Sequence, residues 1–312
     1  MSTSLVISLG DLSARLQMGP VAPAFLDQLH ARYAAFFVPP DVFVQPTMTI
    51  DLELVAGPNA SAREQQMQER PLAVRSITDR VSHHERLERL EIDRWDLGAT
   101  LTRTDDDGFR GHAWCEQNPH SFDTLLRVIW SVLLPHAGGA LLHACGVRSE
   151  GTGLVFPGVS ERGKTTLARK VPDPDDVLSD ELVIVRSPRP GQWLAYGTPF
   201  WGDFERGGVS RHGLPLGGIA FLEQSPALGV MPLSASTAAL RLLACWLGFE
   251  GDPAAARRNL ALAIRLVTEA RVVEVHTRRE TPLAAIVEVL QVPTSPGPAL
   301  KATTVTTEAG VA

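Results

Sequence analysis

The apolar positions of the chain change their period part-way along it. Up to about residue 120 they run or alternate over short stretches, as in LVISL (5–9) and MTIDLELVA (48–56), a pattern that predicts strands. Between these two runs Asp27–Phe37 reads as a short helix, closed by Pro39-Pro40. Residues 60–92 are rich in Arg, Glu, Gln and His with weak periodicity, and read as a solvated connection with some helix or strand. WDLGATLTR and FRGHAWCEQ flank Asp105-Asp106-Asp107-Gly108, and Asp-Gly between alternating segments predicts a hairpin. Three aspartates also raise the question of calcium, but the rest of an EF-hand loop is missing, and a turn is the better reading.

From residue 121 the spacing lengthens. Phe122, Leu125, Leu126, Ile129, Val132 and Leu133 follow the 3.6 period of a helix with one buried face, capped by Ser121 and ended by His136 to Gly139. Short apolar strands come next: ALLHACGV, GLVFPG, VLSDELVIV and WLAYG, with a helix through TTLARKV after the second. GGIAFLE is a further strand. Residues 236–248 and 253–269 read as apolar-faced helices, RVVEVHT as a strand, and Pro282–Leu290 as a last helix with proline in its first turn. The expected organisation is an α+β region over 1–120, an α/β domain over 121–291, and a Pro-, Thr- and Gly-rich disordered tail over 292–312.

Composition narrows the class. Hydrophobic residues make up 44% and charged residues 21% of 312 positions, a globular balance. A net charge of −6 gives no positive field for nucleic acid or an anionic membrane, so neither is expected as a partner. No basic n-region opens the chain, and no stretch reaches the about 18 apolar residues needed to span a bilayer. Three scattered cysteines, Cys115, Cys145 and Cys245, are too few for a disulfide framework. A cytoplasmic location with reduced thiols is the expectation. Only three of the 29 basic residues are lysine, so a lysine that persists hints that arginine would not serve there.

One of those lysines lies in Gly158-Val159-Ser160-Glu161-Arg162-Gly163-Lys164-Thr165, which fits G-x-x-x-x-G-K-[ST] at every fixed position. Glycines let backbone N–H groups turn inward around phosphates, and the following helix adds its positive N-terminus. Lys164 supplies a compact ammonium for the β and γ phosphates, and Thr165 a hydroxyl for Mg²⁺, with Thr166 next to it. The run follows an apolar strand and opens a helix, as that chemistry demands; the alternative is a chance glycine turn. ATP or GTP with Mg²⁺ is the expected ligand.

Fifteen residues beyond Thr165 stands Asp180-Glu181 in LSDELV. Adjacent carboxylates at the edge of an apolar strand need a partner, and triphosphate-bound Mg²⁺ would be one. Asp180 would also accept the proton of an attacking hydroxyl. The plainer alternative is that the pair begins a surface strand. His143, one strand upstream, is read from the residues alone as a structural histidine, since no companion completes a metal site.

The run LLHACGV, then Gly158–Thr165, then LSDELVIV resembles the C-terminal catalytic domain of HPr kinase/phosphorylase and its kinase-like relatives, whose core is related to phosphoenolpyruvate carboxykinase. The resemblance covers about 139–290 and is specific in its first 45 residues. It implies an α/β, P-loop HPr-kinase/PEP-carboxykinase-like core behind a smaller N-terminal α+β region. It also implies His143 beside the transferred phosphate, Lys164 and Thr165 in the P-loop roles, and Asp180 as base. Glu181 stands where the family carries a second aspartate. Glu205-Arg206-Gly207-Gly208 loosely matches a family Glu-x-Arg-Gly-x-Gly segment at a different spacing. The Gly- and Pro-rich segment around it (197–216), with Arg211 and His212, reads as a loop over phosphates or substrate, or as a plain surface loop. Relatives outside sugar-transport regulation accompany peptide-modifying gene clusters, which makes a peptide hydroxyl a fitting acceptor.

The expected function is therefore an ATP-dependent kinase acting on a serine-type hydroxyl of a peptide, protein or small molecule; the resemblance also implies homo-oligomeric assembly, on which composition says nothing. The alternatives are a simple NTPase or reverse phosphorylase, and a non-catalytic nucleotide-sensing scaffold.

Overall fold

The computed structural model describes residues 3–39, 48–56, 81–83, 88–105, 108–158, 163–204, 208, 210–249 and 253–291. Val159, Ser160, Glu161 and Arg162 lie outside the described residues, as do Glu205, Arg206, the tail from 292 and most of the 60–92 connection.

The first sheet has seven strands: β1 (Thr3–Leu9), β2 (Leu12–Met18), β3 (Met48–Ala56), β4 (Val81–His83), β5 (Arg89–Asp93), β6 (Leu97–Arg103) and β7 (Phe109–Cys115). Their order is β1-β2-β3-β7-β6-β5-β4, with β3 parallel to both neighbours and the remaining pairs antiparallel. The Asp-Gly hairpin is there as β6 and β7, in register from Leu97↔Cys115 to Arg103↔Phe109. β2 is an addition to the sequence reading. Its turn is Gly10-Asp11, both at φ near +60°, and the alternating LSARLQM then returns antiparallel to β1. An L-residue in that conformation is strained by about 1–2 kcal/mol. Asp11 is held there by Arg186 (3.0 Å) and the Tyr196 hydroxyl (2.5 Å), both from the other sheet.

Helix α1 (Pro23–Tyr33) starts four residues before the expected Asp27, with proline in its first turn. Helix α2 (Pro119–His136) follows β7; Asn118 rather than Ser121 caps it, accepting from the Ser121 N–H at 2.9 Å. The periodic residues of α2 are buried, and so are most of those between them, because α2 is a central layer. It packs with the inner face of the first sheet, with Leu141, Leu182, Ile184 and Tyr196 of the second, and with Phe200 of the segment after the strand Gln192–Tyr196.

The second sheet contains β8 (Gly139–Ser149), β9 (Thr152–Pro157), β10 (Val177–Ser179), β11 (Leu182–Arg189), β12 (Gln192–Tyr196), β13 (Leu214–Gln224), β14 (Gly229–Pro232) and β15 (Val272–Thr277). Two long strands each serve two sets of neighbours. β8 pairs β11 over residues 139–143 and β9 over 144–149. β13 pairs β12, then β9, then β15. The circuit β8-β11-β12-β13-β9 therefore closes on itself. VLSDELVIV, expected as one strand, is two: β10 and β11 flank Asp180-Glu181.

Helix α3 (Lys164–Ala168) is a single turn, shorter than the expected TTLARKV. Helices α4 (Ala235–Ala244), α5 (Pro253–Glu269) and α6 (Leu283–Gln291) complete six helices among the described residues. α4 stops before the expected 248 because residues 245–247 join β8: His143 N–H donates to Cys245 O at 2.7 Å and Leu247 N–H to Leu141 O at 2.8 Å. The molecule is thus mixed α/β, built on two mixed sheets. Among the described residues no helix is long and apolar enough to cross a membrane, and all three cysteines are buried thiols outside any disulfide.

Candidate functional site

The site forms where β9 ends, α3 begins and β10 gives way to β11. Gly158 N–H, just past β9, donates to His143 O at 3.1 Å, which ties the start of the glycine loop to β8. The loop ends at Gly163, whose φ of +83° is a left-handed conformation that suits glycine and aims the chain into α3. Lys164 is buried at 8% exposure, and its Nζ donates to Gly158 O at 2.7 Å, so the ammonium bridges the two ends of the loop. Burial lowers the Lys164 pKa from the usual lysine value; Glu181, Cys245, Cys145 and Asp180 act the other way.

Asp180 is 2% exposed. A carboxylate there needs donors, and three reach it. Thr165 Oγ1 donates to Oδ2 at 3.3 Å, Gly202 N–H to Oδ1 at 2.8 Å and Phe204 N–H to Oδ2 at 3.1 Å. The turn that presents it is fixed by Ser179, whose hydroxyl donates to Phe200 O and accepts from the N–H groups of Glu181 and Leu182, each at 3.2 Å. The Gly- and Pro-rich segment thus reaches the acidic pair with its backbone. Arg211 of that segment donates instead to Phe37 O at 3.4 Å.

His143 sits on β8 opposite Leu182 and is half-buried. Its pKa is lowered from the ordinary 6.5, by burial first and then by the Lys164 charge, with Glu181 opposing and Arg127 adding to the fall. Glu181 keeps about a third of its side chain exposed and has Arg127 of α2 at 4.0 Å. The structure therefore joins Lys164, Thr165 and Asp180 through direct or loop contacts, and sets His143 and Glu181 beside them.

On the other side of Lys164 and Thr165 opens a cleft of about 620 Å³. Thr166, Leu222, Gln224, Thr277 and Ile286 line it, with Arg278 and Arg279. Lys170 donates to Arg279 O and, at 2.7 Å, to Thr281 O, which fastens the turn after α3 to the 278–281 segment. Burial lowers the Lys170 pKa. Sequence reasoning passed over Lys170, the amides of Gly202 and Phe204, and Arg127. The scarcity of lysine was a usable signal for the first, since an ammonium with three donors serves two carbonyls at once; the others are visible only in three dimensions.

Thr165 and Asp180 form a pair of hard oxygen donors, with Glu181 adjacent in sequence, and such donors suit Mg²⁺ held jointly with phosphates. Among the described residues no group of three or more His, Cys, Asp and Glu is arranged to hold a metal ion by itself. Such a site would be completed by the ligand's own oxygens.

Fold and site define a two-sheet α/β protein in which the first turn of a short helix meets a buried aspartate at the neighbouring strand edge. The chain belongs to the family of ScmC, the SynChlorMet cassette protein ScmC, whose model matches residues 114–269, half of its length. That stretch runs from the end of β7 through α5 and contains Arg127, His143, Lys164 and the acidic pair. No curated protein matches the chain.

Proposed function

We propose that the chain is a kinase with an HPr-kinase-like P-loop core, transferring the γ-phosphate of ATP or GTP to a serine-type hydroxyl of a peptide, protein or small molecule. The observation that carries this reading is the Thr165–Asp180 hydrogen bond beside Lys164, since it joins the loop motif to the acidic pair across 15 residues. A chance glycine turn has no reason to meet a buried carboxylate in this way.

Phosphates would occupy the loop, with sugar and base in the 620 Å³ cleft between Leu222 and Ile286. Lys164 Nζ would exchange Gly158 O for phosphate oxygens, and the backbone would supply further donors. Mg²⁺ would be held by Thr165 and Asp180, with Glu181 in reach, and would neutralise charge on the β and γ oxygens. The acceptor oxygen attacks the γ-phosphorus, the bond to the β–γ bridging oxygen breaks, and the nucleoside diphosphate leaves with the electron pair. The acceptor proton passes to Asp180, whose Oδ1 accepts one described hydrogen bond and has a second acceptor position. Burial and the Lys164 charge lower the His143 pKa and so favour the neutral ring, which can donate or accept a hydrogen bond.

The test is transfer of label from γ-labelled ATP with Mg²⁺, with water alone and with peptides encoded beside the gene, compared with Lys164→Ala and Asp180→Asn. Label on a hydroxyl, lost in both variants, is expected. Nucleotide binding with no transfer to any acceptor would refute the kinase.

A further inference from the structure

We infer that Arg127 is the residue that recognises the terminal phosphoryl group of the nucleoside triphosphate. The inference rests on the nucleotide reading of the site above.

Helix α2 buries 13 of its 18 residues, so a cation on it is expensive unless it is matched. Arg127 has 26% of its side chain exposed and no close carboxylate partner: Glu181 stands at 4.0 Å, beyond hydrogen-bond range. Its Nε is buried and meets no acceptor among the described residues. The guanidinium lies 5.3 Å from the Phe200 ring, which gives it a flat support. A guanidinium so placed, with donors to spare, fits a tetrahedral oxyanion better than it fits the present neighbours, because its planar fork presents paired N–H groups.

Position selects which anion. Arg127, His143 and Glu181 are absent from the wall of the 620 Å³ cleft, while Lys164 and Thr165 belong to it. A nucleotide with its base in that cleft and its phosphates across Lys164 would direct its last phosphoryl group to the side where Asp180, Glu181 and Arg127 stand. Glu181 holds the guanidinium loosely in place, and α2, packed between the two sheets, gives it a fixed base.

The experiment compares ATP and ADP affinities, each with Mg²⁺, for the wild type, Arg127→Gln and Lys164→Ala. Arg127→Gln is expected to weaken ATP about ten-fold, the scale of one charge-assisted hydrogen bond, and to leave ADP within about two-fold. Lys164→Ala is expected to weaken both. Equal losses for ATP and ADP in Arg127→Gln, or none, would overturn the inference while the nucleotide reading stands. Absence of nucleotide binding by the wild type would overturn both. A second readout needs no variant: butanedione modification of wild-type Arg127, followed by mass spectrometry, should be slowed by ATP and not by ADP. Equal rates with the two nucleotides would also overturn the inference.

Discussion

Replacing Asp123 by alanine should be among the most damaging single changes outside the candidate site. Asp123 lies on α2 with 5% of its side chain exposed. It accepts from Arg32 Nε at 3.0 Å, from a second Arg32 nitrogen and from the Tyr33 hydroxyl. Tyr33 is fully buried, so the truncation leaves its hydroxyl without an acceptor, a loss of about 1–3 kcal/mol. Breaking a buried ion pair from one side costs about 3–5 kcal/mol. Arg32 keeps 17% of its side chain exposed and its stack 3.8 Å over Trp201, which places its share at the low end. Both losses share one carboxylate and do not add, so the expected total is about 4 kcal/mol. Urea unfolding supplies the measurement, provided the slope is unchanged. Tyr33→Phe alone should cost about 1 kcal/mol, because Asp123 keeps Arg32. In the Asp123→Ala background the same change should be neutral or stabilising, since the orphaned hydroxyl is then removed. A loss below about 1 kcal/mol for Asp123→Ala, or an equal cost of Tyr33→Phe in both backgrounds, would refute the reasoning.

Two further outcomes are expected. NMR titration should place the His143 midpoint below 6.5 and move it upward in Lys164→Ala, because burial and the Lys164 charge both disfavour its proton. A depressed folded-state pKa gives stability that is present above 6.5 and is lost as pH falls below it; a midpoint at or above 6.5 would contradict this. In Gly202→Ala the new Cβ would stand 2.7 Å from Glu181 Oε2 and 3.4 Å from Asp180 Oδ2. The mobile Glu181 end can yield, so the unfolding midpoint should hold within about 1 kcal/mol. The rise in Tm produced by Mg²⁺-ATP should nevertheless shrink, and a rise equal to that of the wild type would show that the acidic pair tolerates displacement.

Elements with strong local signals were legible. The β6–β7 hairpin announced itself through Asp-Gly, α5 through its apolar face over 253–269, and the order of β9 before α3 through residue spacing. Elements defined by a distant partner were not. LSARLQM alternates well, but its Gly10-Asp11 turn is stabilised by Arg186 and Tyr196, more than 170 residues away. The α4 pattern continues past Ala244, yet pairing with β8 is the stronger claim on residues 245–247. The same holds at the candidate site. Lys164, Thr165 and Asp180 could be named from their types and order, whereas the amides that hold Asp180 have no sequence signature at all. Arg127 reads along the chain as the polar position of an apolar helix.

These non-local contacts explain how the N-terminal sheet bears on the acidic pair. Asp123 on α2 holds Arg32 of α1, and Arg32 stacks on Trp201. Trp201 immediately precedes Gly202, the residue whose N–H meets Asp180 Oδ1 at 2.8 Å. On its other side is Phe200, whose carbonyl accepts from Ser179 and whose ring lies under Arg127. Three consecutive residues thus connect α1 and α2 to the turn that presents Asp180. The loop has no regular secondary structure of its own, so its geometry depends on what it packs against. Phe200 is itself fully buried in the cluster that joins the first sheet, α2 and the β8–β11 edge. The position of the buried carboxylate is therefore set by packing from both sheets, although every residue of the glycine loop and the acidic pair lies in the second half of the chain.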